Sequence, residues 1–123
     1  MELHFLFRKP RFPVIIVRGG ALYSANSPQS LVILVAKEIQ GVEDEKIVFL
    51  DSTGEEFAYF DEMKTLAPTL IQKQWPKKKL IELYNTSTNA RKGDTSYSEK
   101  SLSAKTYQKI FDDLAELIQK NRP

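Results

Sequence analysis

The sequence predicts a small α+β domain: an antiparallel sheet, open or partly closed into a barrel, with an amphipathic C-terminal helix packed on one face. Three observations predict it. Residues 46–60 read as a β-hairpin, the composition is that of a folded chain, and apolar residues recur at helical spacing from Tyr107 to Ile118.

The hairpin is the organising element. Its two arms, Lys46 to Asp51 and Glu55 to Phe60, are rich in β-branched and aromatic residues, and Ser52-Thr53-Gly54 separates them. Asp51 suits the first position of a type I turn and Gly54 the left-handed position of a three-residue loop with a bulge. If Asp51 faces Glu55, then Phe49 faces Phe57 and Ile47 faces Tyr59 on one side, while Val48 faces Ala58 and Leu50 faces Glu56 on the other. Such cross-strand pairs each contribute roughly 0.2–1 kcal/mol. The aromatic side must be covered, and the C-terminal helix is the expected cover.

At 123 residues the chain is long enough for one domain with a real core and short for two, so residues 1–123 are read as one unit. Apolar residues make up 41% and charged residues 28%, near the globular average, which argues against disorder. A net charge of +2 is too small by itself to imply a nucleic-acid partner. Its distribution says more: from Glu43 to Glu62 eight acids stand against one base, whereas bases gather at Arg8, Lys9, Arg11 and Arg18, at Lys73 and Lys77 to Lys79, and at Arg91 and Lys92. If these groups segregate in space, the molecule is electrically two-faced. Cysteine is absent, which removes disulfides, thiol catalysis and thiolate metal sites and fits a reducing compartment. The first eight residues place an acid before the apolar run and the positive charge after it, the wrong order for a secretory signal. No apolar run approaches the ~18 residues of a membrane span, so a cytoplasmic location without membrane contact is expected.

In chain order, Leu3 to Phe7 alternates as a short strand, and Pro10 and Pro13 then break it. Val14 to Val17 reads as a buried strand, turned by Gly19-Gly20 into a hairpin with Ala21 to Tyr23. For residues 27–41 punctuation favours a helix: Ser27-Pro28 suits a cap and first turn, Gly41 a stop, and Leu31, Val32, Val35, Ala36 and Ile39 share a face. The β-branched run Leu31 to Val35 would also suit a strand. Asp61 to Leu66 predicts one or two helical turns ending near Pro68. Residues 69–75 fit either state. Lys77 to Tyr84 predicts a strand near 79–84 with a lysine-rich start. Residues 85–101 are polar in character with a single aromatic, Tyr97, a seventeen-residue loop that is either mobile or a binding segment. A helix near 103–120 follows, with Ser101 or Ser103 as its cap and Lys120 and Arg122 near its end.

Three kinds of chemistry can be weighed. Nucleophilic catalysis needs an imidazole, and the sole histidine, His4, sits among apolar neighbours on a short strand. A Mg²⁺ nuclease would use an Asp and a downstream Glu-x-Lys, and Asp51 precedes Glu62-Met63-Lys64. The hairpin register puts Asp51 at the turn and Glu62 beyond the open end, roughly 23 Å apart at about 3.3 Å per residue, which prevents shared coordination. A rearranged set of Asp44, Glu62 and Lys64 remains geometrically allowed. No cofactor or metal is expected. The third chemistry is recognition of single-stranded nucleic acid: Lys73, Trp75, Lys77, Lys78 and Lys79 interleave an aromatic with cations, and Tyr84 lies further along. A tryptophan beside proline also serves as a core plug, and a lysine run as a solvated edge guard. The first expectation is therefore a non-catalytic module that binds another protein or itself, with pairing at residues 14–17 as an outer strand one route to it. A basic-patch binder of single-stranded nucleic acid is the alternative, and the nuclease a weaker third.

Overall fold

The computed structural model describes residues 1–42, 46–69 and 73–123. Six strands, β1 (His4–Phe5), β2 (Val14–Arg18), β3 (Ala21–Ala25), β4 (Ile47–Leu50), β5 (Glu56–Phe60) and β6 (Thr65–Pro68), form one sheet in the order β1-β6-β5-β4-β2-β3. Every neighbouring pair is antiparallel except β1–β6, which is parallel, so the sheet is mixed and open. The expected hairpin has the expected register, with Phe49 opposite Phe57 and Leu50 opposite Glu56. Gly54 sits at φ +83°, the left-handed region where a side chain is costly. Its N–H donates to the Asp51 carbonyl at 2.8 Å, and the Asp51 N–H donates to the Glu55 carbonyl at 3.2 Å.

The two faces of the sheet are closed by different helices. On the aromatic side, Phe49, Phe57, Ile16 and Leu66 pack against Leu31, Val35 and Ile39. These three belong to α1 (Pro28–Leu34) and the single π-turn, Val35–Ile39, that continues it. The expected cap is present: the Ser27 hydroxyl accepts from the Ser30 N–H at 3.2 Å, and the Ser30 hydroxyl accepts from the Ser27 N–H at 3.1 Å. On the other side Ile15, Leu22 and Leu50 pack against Leu80, Ile81 and Tyr84 of α2 (Lys77–Asn85) and against Ile110, Phe111, Leu114 and Ile118 of α5 (Tyr107–Lys120). The C-terminal helix thus covers the face opposite the one expected. Both helices carry a suitable stripe, and nothing local decides which face each one takes.

Several other expectations are corrected. Residues 77–85 are helical because Leu80, Ile81 and Tyr84 make a stripe at helical spacing, while lysine, leucine and glutamate favour a helix where packing permits. Residues 61–64 form a turn with Lys64 at φ +48°, and the chain re-enters the sheet as β6, where Leu66 and Ala67 face Tyr59 and Ala58. Strand β1 is shorter than expected because Phe7, at φ +70°, bends the chain away. Strand β2 is not outer: β3 and β4 pair with it on both sides.

The polar stretch 85–101 is largely ordered into α3 (Thr88–Gly93), with α4 (Ser101–Ala104) beginning at its end. Ser87 caps α3, its hydroxyl accepting from the Ala90 N–H at 3.2 Å. Asn89 is buried and its side chain pairs with the β3 edge as a strand would: its Oδ1 accepts from the Leu22 N–H, and its Nδ2 donates to the Leu22 carbonyl, both at 2.8 Å. That edge is therefore closed to strand addition at Leu22. Helix α5 starts after Thr106, whose hydroxyl accepts from the Lys109 N–H at 3.2 Å, in place of Ser101 or Ser103. In its first two turns Asp113 meets Lys105 at 3.0 Å, Lys109 at 2.7 Å and the Tyr97 hydroxyl at 2.7 Å. Burial alone would raise the Asp113 carboxyl, but the bonds from Lys109, Tyr97 and Lys105 hold it down at about 2.

Candidate functional site

The six residues expected to bind nucleic acid divide into two sets. Tyr84 is buried, and its hydroxyl is shared with the Thr95 hydroxyl at 2.6 Å and the Asn121 amide at 3.2 Å. Lys77 donates to the carbonyls of Leu102 at 3.1 Å and Lys105 at 2.8 Å, tying the start of α2 to α4. Both point inward. Lys73, Lys78 and Lys79 are exposed and Trp75 is half-buried. The Trp75 indole N–H donates to Glu56 at 2.8 Å, its carbonyl accepts from the Tyr107 hydroxyl at 2.8 Å, and the Lys79 ammonium lies 3.7 Å from the ring centre. Of the six, the structure brings together Trp75 and Lys79.

The carboxylates considered for a metal do not meet. Asp51 is fully buried and accepts from Arg8, Thr53 and the Arg11 N–H, so its lone pairs are spent on the turn. Arg8 also pairs with Glu55 at 2.9 Å, so an N-terminal base and the hairpin acids interlock here instead of standing apart. Lys64 contacts Asp61 at 3.5 Å, while Asp44 lies outside the described residues. Among the described residues no three acidic or histidine side chains converge as a metal site would require. Burial pushes the Tyr107 phenol up, aided by Asp51, and burial with nearby Asp61 pushes Tyr59 up to about 12. Neither phenol is set up to act as a base.

Two surface features escaped the sequence reading. The first is the half of the sheet that α2, α3 and α5 leave uncovered: their core takes side chains from β2, β3 and β4 but none from β5, β6 or β1. There Phe60, Thr65 and His4 lie in one row across three strands; Ala58 and Ala67 lie in the next, with Leu6 beyond them, and of these Ala67 is buried. Five of the six exposed large apolar residues among those described flank β1 (Met1, Leu6 and Phe7), end β5 (Phe60) or lie in the turn after it (Met63). The second feature is a cleft of about 380 Å³ lined by Val17, Gly19, Lys46, Val48, Glu56, Trp75 and Lys79. A larger recess of about 760 Å³ runs along α5 past Pro13 and Asn26, but Asp112 and Glu116 line it together with Lys120 and Arg122, giving it no single sign.

Fold and surface together define an α+β fold with one sheet face covered by α1 and, among the described residues, the other covered by helices over β2, β3 and β4. Compared with protein-family models, curated proteins and solved structures, the chain matches none. No helix among the described residues is long and apolar enough to cross a membrane.

Proposed function

We propose that the protein is a non-catalytic interaction module that docks another protein, or a second copy of itself, on the β1–β6–β5 side of the sheet. The observation that carries this reading is the collection of exposed apolar residues there, with Phe7 86% and Met63 61% exposed. Isolated apolar residues on a surface need no explanation, but several gathered at one sheet edge mark a contact surface. Covering them would stabilise a complex by roughly 25 cal/mol per Å² removed from water. The side chains bearing on catalysis also support it, since the His4 imidazole makes no hydrogen bond with a described residue and the buried carboxylate, Asp51, is saturated.

A photocrosslinking residue at position 63, introduced into the full chain in its own cell, is expected to yield a discrete adduct. The same residue at position 33 is the control, because Ile33 is also exposed, at 54%, but lies on α1. Equal adducts from both positions, or none from position 63, would refute the docking surface. An adduct of twice the chain mass would assign the partner as a second copy.

A further inference from the structure

Lys46 and Lys79 both line the cleft beside Trp75, and neither has a carboxylate partner among the described residues. Arg8, Arg18, Lys64, Lys105 and Lys109 are ion-paired and Lys77 and Lys92 donate to carbonyls; among the bases with no such partner, Lys46 and Lys79 are the two that line this cleft. The one acid in the cleft, Glu56, accepts the Trp75 indole N–H and keeps its charge, so the two lysines outnumber it by one. Two ammonium groups facing one recess repel each other, and an anion between them converts that repulsion into attraction. A doubly charged phosphate matches two lysines better than a single carboxylate does, and lysine binds phosphate as a point charge without a fixed geometry.

We propose that this cleft is a phosphate site, filled by a free phosphorylated ligand or by the backbone of a single-stranded nucleic acid. It uses Lys46 and Lys79, not the Lys77 and Tyr84 that a linear reading of the basic stretch selects. It is also independent of the docking surface, whose apolar residues it does not need.

Trp75 is the only tryptophan, so its emission reports on the cleft directly. The full chain at low salt is titrated with tripolyphosphate and, separately, with a short oligothymidylate. A saturable change is expected with at least one probe. Response to both assigns a free phosphate group; response to the oligonucleotide alone assigns a strand. For a strand touching two phosphates, the affinity should fall with salt at a log–log slope of about −1.4. Lys46→Glu and Lys79→Glu should each weaken binding about tenfold or more, while Lys73→Glu and Lys78→Glu, outside the cleft, should change it less than about twofold. Lys79→Glu also alters the charge over the indole ring, so Lys46→Glu, which leaves that contact in place, carries the decision. No response to either probe, unchanged affinity in Lys46→Glu, or equal weakening by Lys78→Glu would each overturn the proposal.

Discussion

Gly54→Ala is expected to destabilise the fold by about 2–5 kcal/mol, the sum of a left-handed backbone penalty and overpacking. At φ +83° an L side chain is strained before any contact is considered. A Cβ there would also run into the Tyr107 hydroxyl and come within 2.8 Å of Gln74 Cγ. The tyrosine cannot simply swing aside, because its hydroxyl donates to the Trp75 carbonyl, and the Trp75 N–H in turn donates to the Gly54 carbonyl at 2.9 Å. The turn, the segment before α2 and the first turn of α5 are thus clamped at one point. Urea unfolding monitored by circular dichroism measures the loss, and a change below about 1 kcal/mol would mean the clamp is soft.

Asp51→Ala is expected to cost about 3 kcal/mol, near the lower end for breaking a buried charged network. The carboxylate is fully buried and takes bonds from Arg8 at 2.8 Å, the Arg11 N–H at 3.0 Å and the Thr53 N–H at 3.1 Å, together with the Thr53 hydroxyl. Arg8 softens the loss, since its side chain is 33% exposed and keeps Glu55 as a partner. Glu55→Ala, at a partly exposed carboxylate, should cost no more than about 1 kcal/mol. The ranking is the test. Equal losses in the two variants would show that Asp51 is not the anchor of the turn.

Which parts of this were legible follows from how far apart the interacting residues lie. The 46–60 register was legible because a period of two and a left-handed glycine are local properties, and Ser27 and Gly41 marked the helix between them for the same reason. The helix at 77–85 was not legible: three lysines hide its first turn, and Leu80, Ile81 and Leu83 also suit an alternating pattern. Read as a helix, the four-residue spacing of Trp75 and Lys79 would have suggested their contact. Residues 85–101 misled because polarity implies solvent, whereas Asn89 spends its amide on the β3 edge and Ser87 its hydroxyl on a cap. Neither the open half-sheet nor the place of Lys46 in the cleft has a local signature. Both depend on α5 choosing the face opposite Phe49 and Phe57 and on β1 and β6 extending the sheet beyond the helices' reach.

The contrast between the two sheet faces is measured most directly by hydroxyl-radical footprinting of the purified protein, read residue by residue. Phe60 and Met63 should be modified at rates close to those of the unfolded chain, with Phe49 and Phe57 strongly protected. A Phe60 as protected as Phe57 would mean that the uncovered half-face does not exist, and the docking surface would go with it.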